Sequence, residues 1–530
     1  MKQNIIVIIS GLCVLLSGSC SKKLDLTPVS TLSDASYWKT PDQVDAFVTG
    51  IHVSFRNHNA SFEALGELRS DIFGLEPGIG STFTGESSQG YETMWNQTID
   101  ANNPGVGNFG ASVNNANITN PATNFYYNIN QINLLISNLN TTNLVTPANR
   151  NYYLGIGFGM RAFYYFQMAR SWGSVVLQTE SVKGIDISNL AKQASSEADI
   201  FKQIKSDIDS SVTNFGTDYS FKNSKAFWSK AATLMLKAEV YLWTGFRGGG
   251  VADATTAKAA LTDIQTNISS LSLLPVFTDV FAIKGNNEII FASRYQLNEA
   301  TMGFVSSTFV PQTSLISNFY DSAQSRRMNN GTLDNWGGLL RAPVKVATFR
   351  KFDDKDTRKW ASIQPGYSVD ITKRPGADTM VIKGSFVKKF SGENSAGSRQ
   401  YTNDFPIYRY ADLLLLLAEA KQISGEDPSA EINLVRKRAY GSNYNAAIQG
   451  YPNQPGDANL KETILQERLF EFIFEGKRWY DLRSMGDSFV YAHIPVSQFA
   501  NTDANGRLLW PIDITSLTNN RSLVQNPGYR

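Results

Sequence analysis

Four charged residues near the C-terminus have the most suggestive spacing in the chain. Arg468, Glu471, Glu475 and Arg478 lie three, four and three apart, which predicts one shared face of a single helix. Two carboxylates a turn apart could serve acid–base chemistry or hold a metal. Each also has an arginine one turn away, and buried charge is tolerated only when paired. The spacing therefore predicts a buried ion network that locks this helix to its neighbours, not a catalytic or ligand site. Other chemistry has thinner support. The histidines are His52, His58 and His493, none four from another, so no zinc or redox metal site is expected. A structural calcium has one candidate, Asp353-Asp354-Lys355-Asp356, where a solvated charge cluster is the simpler reading. No Gly-x-Ser-x-Gly elbow occurs, and Gly248-Gly249-Gly250 lacks the Gly-Lys-Ser/Thr that would cradle phosphate. No cofactor is expected. A glycosidase needs only two carboxylates at the right separation, and 47 acidic residues leave that possibility open.

The elements that position these residues are mainly α-helical. Amphipathic segments are predicted at 41–55, 124–139, 147–171, 196–213, 224–244, 254–268, 409–423, 429–439 and 459–482. In the 196–213 segment Ile200, Ile204, Ile208 and Val212 recur every four residues. The run Leu413–Leu417 is apolar all round, so its helix is central. The helix pairs predict a degenerate tetratricopeptide-like scaffold over about 37–274 and 406–493. Between them, about 275–405, Gly, Asn, Ser, Asp and Pro crowd in and helical stripes fade. That stretch reads as a loop-rich, ligand-facing insert with short strands such as Glu288–Phe291 and Phe386-Val387.

Composition bounds the remainder. The chain has 530 residues, 42% hydrophobic, 12% aromatic and 18% charged, which excludes a mainly disordered protein. A net charge of +2 gives no support to a nucleic-acid binder working through phosphate neutralisation. After Lys2, the apolar stretch Ile5–Leu16 is too short to span a membrane and fits a secretory leader. It ends in Leu16-Ser17-Gly18-Ser19-Cys20, similar to a bacterial lipobox. Residues 1–19 therefore read as a lipoprotein signal peptide, Cys20 as the lipidated residue, 20–36 as a tether and 37–530 as a single body. Cleavage removes Cys13, so no intrachain disulfide is expected.

The run Arg409-Tyr410-Ala411-Asp412 through Leu417-Ala418-Glu419-Ala420 resembles a signature helix of the SusD/RagB family. Asn433–Ala439, Glu467–Phe472, Glu475–Leu482 and the terminal Gln525-Asn526-Pro527-Gly528-Tyr529 are similar to further elements of that family, in the same order. Tyr37-Trp38, Asn133, Arg161-Ala162 and Trp172-Gly173 extend the likeness to the N-terminal half. The resemblance implies an outer-membrane, surface-exposed lipoprotein of Bacteroidetes. It would bind an oligosaccharide, perform no bond chemistry, and sit as a lid over a SusC-like TonB-dependent transporter. Some relatives take up peptides instead, and that alternative stays open.

A sugar binder needs aromatic faces for ring CH groups, and planar polar groups for hydroxyls. Trp95, in Tyr91–Gln97 after a Gly/Ser-rich loop, is the leading stacking candidate. Asn57, Asn59 and Asp71 follow the first helix as hydroxyl-binding candidates. Tyr295 and Trp336 belong to the insert, as do Arg374 and Tyr401, in loops before the Arg409 helix.

Overall fold

The computed structural model describes residues 37–75, 90–105, 113–116, 124–182, 191–369, 380–499 and 505–529. The expected tether, Cys20 and Arg374 lie outside the described residues. Two units divide between Ala46 and Phe47, inside the first helix. In the first unit, the Gln43 side chain accepts from the Lys39 and Thr40 amides at 2.9 and 3.0 Å. This reciprocal cap starts helix α1, Pro41–Asn57, with proline at its first position.

The second unit is built from paired helices. They are α2 (Asn59–Glu67), α3 (Phe125–Thr141), α4 (Pro147–Trp172), α5 (Glu197–Phe215), α6 (Lys230–Thr244), α7 (Gly250–Asn267), the single turn α8 (Asp279–Ala282), α9 (Thr357–Ser362), α10 (Tyr410–Ser424), α11 (Ser429–Tyr440), α12 (Leu460–Phe472) and α13 (Arg478–Ser484). Side chains of Asn124, Thr146, Ser196, Ser229 and Asn459 accept amides in the first turns they precede, satisfying donors that a helix leaves orphaned. Helix α4 packs on α3 and α5, α6 packs on α7, and α10 lies against α6, α7, α11 and α12. Close approach of α4 needs Gly159, because a Cβ there would fall 2.2 Å from Trp228 Nε1. The central α10 is buried from Ala411 to Ala420, as its all-round apolar run predicts.

Strands β1 (Ile289–Ser293) and β6 (Phe405–Arg409) pair antiparallel and are buried throughout. They bring the two ends of the insert together. Inside it, β2 (Ile363–Val369) pairs with β3 (Met380–Val387), and β4 (Glu393–Ser395) with β5 (Ser398–Gln400). An aromatic core joins the scaffold to β1. Phe55 lies 5.3 Å from Phe163 and 5.4 Å from Phe291, and Trp228 lies 5.1 Å from Phe291.

Two predicted helices differ in the structure. The segment expected to start at Ser224 does not become α-helical until Lys230, where Ser229 supplies the cap. The segment 459–482 breaks between Phe472 and Arg478. Phe474 and Gly476 both adopt left-handed φ, 69° and 72°. The break lets α2 press backbone to backbone, since a Cβ on Gly66 would fall 1.7 Å from Gly476 O. Arg478 therefore starts a separate helix and does not share a helix face with Glu471.

The ion network exists, with partners other than those the spacing suggests. Glu471 binds Arg358, Arg409 and Arg438, which come from α9, β6 and α11. Glu475 takes Arg409 at 2.8 Å and Lys389 at 2.6 Å. Arg468 pairs with Asp412, Glu419 and Asp481. Burial alone would raise the Glu471 carboxyl; the three guanidiniums reverse that and hold it far below the usual range.

Candidate functional site

Two of the sequence-chosen residues come together, beside a cavity that sequence reasoning did not name. Asn59 Nδ2 donates to the Tyr295 hydroxyl at 3.1 Å, and Asn59 Oδ1 accepts from Ser293 at 3.1 Å. The Tyr295 hydroxyl donates to Arg56 O at 3.2 Å. Asn59 and Tyr295 are buried, at 0% and 5% exposure, while Asn57 is exposed at the end of α1. The buried pair ties α1 and α2 to the strand that leads into the insert. Burial takes both out of direct reach of a ligand.

The cavity they support has a volume of about 230 Å³. Its walls come from α1, from the strap before α6, and from β1 with the turn that follows. His52 and Phe227 stack inside it, with ring centroids 4.3 Å apart and planes 8° from parallel. The histidine is fixed. Trp228 N–H can only donate, so Nε2 accepts it, at 2.9 Å. Nδ1 must then carry the proton and donate to Val48 O at 2.8 Å. Burial pulls its pKa down to about 4, against the Val48 carbonyl that favours the charged form, so the ring stays neutral.

The rim is polar and incompletely paired. Arg56 Nη1 donates to Glu299 at 2.5 Å and to Arg294 O at 3.0 Å. Arg294 Nη2 reaches Gln296 at 3.3 Å. The Nε groups of both arginines lack a hydrogen-bond partner. Glu299 is more than half exposed, and the hydrogen bond from Arg56 lowers its pKa.

The strap is strained. Asn223, Ser224 and Lys225 have φ of 47°, 51° and 67°, a conformation costing about 1–3 kcal/mol for each non-glycine residue. It is held by Lys225 Nζ, which donates to Asn286 O at 2.6 Å. Nothing in the local sequence Asn223-Ser224-Lys225 requires this turn, which is why periodicity ran the helix through it. The one available signal was Phe227-Trp228 beside a serine cap.

The other candidates serve the scaffold. Trp95 is 5% exposed, and its ring packs on Gly74, so it offers no open face for stacking. Asp71 is gripped by Arg478 at 2.8 and 3.1 Å and by Lys351 at 2.9 Å. Burial opposes its charge, but Arg478, His493 and Lys351 prevail and hold the carboxyl well below its usual value. It is a member of the ion network. Tyr401 donates its hydroxyl to Trp336 O, and both are nearly buried, at 3% and 6%. Trp336 has Phe386 edge-on at 5.3 Å and the Arg399 guanidinium over its ring at 4.5 Å. That pair fastens the insert to itself.

The calcium candidate is occupied by protein partners. Asp356 caps α9 and binds Arg358 at 2.7 Å, Asp354 binds Lys359 at 2.6 Å, and Asp353 accepts from the Lys355 amide. Among the described residues, no group of three metal-ligating side chains converges, and no helix is long and apolar enough to cross a membrane.

Comparison with known proteins places this architecture. The signature of the SusD family matches residues 287–529. The solved structure of NanU from B. fragilis superposes with a TM-score of 0.83 at 40% identity, covering 95% of this chain and 99% of that one. A SusD superfamily protein of Bacteroides vulgatus ATCC 8482 gives 0.81 at 39% identity, covering 93% and 100%. Surface glycan-binding protein A of Bacteroides thetaiotaomicron, solved with laminarihexaose, shares the fold at a TM-score of 0.66 and 18% identity, covering 92% and 100%. The helix-pair scaffold thus matches a known architecture, and the chain belongs to the SusD family.

Proposed function

We propose that this protein is a cell-surface, glycan-binding lipoprotein, anchored through Cys20 to the outer membrane, that hands oligosaccharide to a SusC-like TonB-dependent transporter. The observation that carries the glycan reading is the cavity of His52, Phe227, Arg56, Arg294, Gln296 and Glu299. A neutral, immobilised ring pair suits the CH face of a pyranose. Guanidinium, amide and carboxylate groups at the rim suit its hydroxyls. Family membership supports the same reading, since a relative of this fold holds laminarihexaose. The anchor and the transporter rest on family membership and the Cys20 leader. The reading is of capture without bond chemistry; Glu471 and Glu475, the carboxylates with the most suggestive spacing, are paired with buried cations.

A glycan panel on residues 21–530 tests the reading, with Phe227→Ala alongside. The panel spans fructans, starch, mannans, hemicelluloses and mucin glycans. One positive class is expected. Phe227→Ala should weaken it about tenfold with an unchanged melting temperature, as expected for loss of one stacked ring. Binding to peptides and to no glycan would replace this reading with peptide uptake.

A further inference from the structure

A second cavity in the insert has the makings of a saccharide subsite, and the inference rests on the glycan reading above. It has a volume of about 300 Å³ and is walled by Phe281, Ala282, Trp360 and Ala361. The Trp360 ring is half-buried and held rigid. Its N–H donates to Asp354 O at 2.9 Å, and Phe349 meets it edge-on at 5.5 Å. A fixed indole is an apolar platform whose ordering cost is met before a ligand arrives.

Polar groups ring this platform. Thr357 donates its hydroxyl to Ala439 O at 2.7 Å, which leaves its oxygen free to accept. Exposed Ser391 lines the same wall. Lys388 is the unusual member. Lys388 and Lys389 both line the cavity, but Lys389 is spent on Glu475 at 2.6 Å. Among the described residues the Lys388 ammonium makes no hydrogen bond and no ion pair, although burial lowers its pKa. Asp321 acts on its charge, but a half-buried ammonium with no hydrogen bond among the described residues, beside an indole face, can donate to a hydroxyl-bearing ring.

The two cavities share one connecting segment. Ala282 lines the second, and Arg294 and Gln296 line the first. Lys284, two residues from Ala282, donates to Tyr295 O at 2.6 Å. Two residues span at most about 7 Å of chain, so one lysine side chain and a short piece of backbone separate the rims. Ile283, 52% exposed, lies in that segment between Ala282 and Lys284.

We propose that the Trp360 cavity is a second subsite for the same polysaccharide chain, one stretch lying on the His52–Phe227 stack and another on Trp360 across the Ile283–Lys284 segment. The protein then grips internal stretches of long chains, not their ends. Two linked sites gain affinity because binding at the second becomes intramolecular.

The test uses the whole mature chain. Its crystals are soaked in concentrated maltotriose and, separately, laminaritriose. Titrations compare each trisaccharide with its polymer, soluble starch or laminarin. Sugar density on both ring platforms is expected. Trp360→Ala should cut polymer affinity about tenfold and leave trisaccharide affinity at the His52 site unchanged. Trp360→Phe keeps a ring and should restore most of it, and Lys388→Gln gives a second, fold-neutral loss. Sugar at His52 but none at an open Trp360 face overturns the proposal and spares the first site. Sugar at Trp360 alone removes the first site's reading. Sugar at neither overturns both. Density at both with polymer affinity unchanged in Trp360→Ala means separate chains, and overturns the shared-chain proposal.

Discussion

The Glu471 network and the rim of the His52 cavity are made from the same residue types, with opposite outcomes. In the network every guanidinium meets carboxylates, and Arg358, Arg409, Glu471 and Glu475 have side chains with no exposure or almost none. At the rim Arg56 shares one carboxylate that is 55% exposed, and Arg294 has only an amide. The network's cations are spent on carboxylates that are themselves buried, which leaves nothing for a ligand to reach. At the rim the Glu299 carboxylate stays open to solvent and within a ligand's reach. Charge by itself distinguishes neither; what differs is burial and the count of partners.

The largest test of this contrast is Glu471→Gln. It leaves buried guanidiniums under-neutralised, and breaking such a pair costs about 3–5 kcal/mol, read as a collapse of the melting temperature. Glu299→Gln at the rim should leave the melt unchanged. Gly159→Ala tests the close helix packing of the scaffold instead. Its Cβ meets Trp228, and overpacking of this kind costs about 1–3 kcal/mol in a denaturant titration.

A pH series separates the network from a different set of buried acids. Burial raises the Glu67 and Glu419 carboxyls to about 8, against the pull of Lys389 on the first and Arg468 on the second. These groups hold a proton in the fold and lose it in the unfolded chain above a pH of about 4.3. Their contribution is complete below that value and is lost as pH rises to about 8. Asp71 and Glu471 are shifted the other way, so theirs is already complete across this window. Stability should therefore fall from about pH 5 to 8, and Glu67→Gln should flatten the slope. The smallest effect is expected at the surface pair Lys237–Asp209, with side chains 21% and 61% exposed. Asp209→Ala should change stability by about 0–1 kcal/mol.

Much of the fold was legible in the sequence, because helices such as 147–172 announce themselves by apolar spacing and by caps such as Thr146 and Pro147. The site was less legible. Glu471 finds Arg358, Arg409 and Arg438 from 113, 62 and 33 residues away, distances at which spacing carries no information. The strap at 223–225 turns left-handed because Lys225 and Asn286 hold it, and neither is its neighbour in the helix pattern. Trp95 and Trp336 looked like surface aromatics because their neighbours are polar; the partners that cover them come from Gly74 and from Phe386 and Arg399.

The contact of Gly66 with Gly476 has a consequence for how the chain is made. Part of what holds α2 and the residues after it lies more than 400 residues further along the chain. Glu67 accepts the Phe474 amide at 3.0 Å, Asp71 waits for Arg478, and Arg69 for the carbonyls of Arg507 and Leu509. Until residues 474–509 have been made, these contacts of the α2 region cannot form, so this part of the core closes late in synthesis.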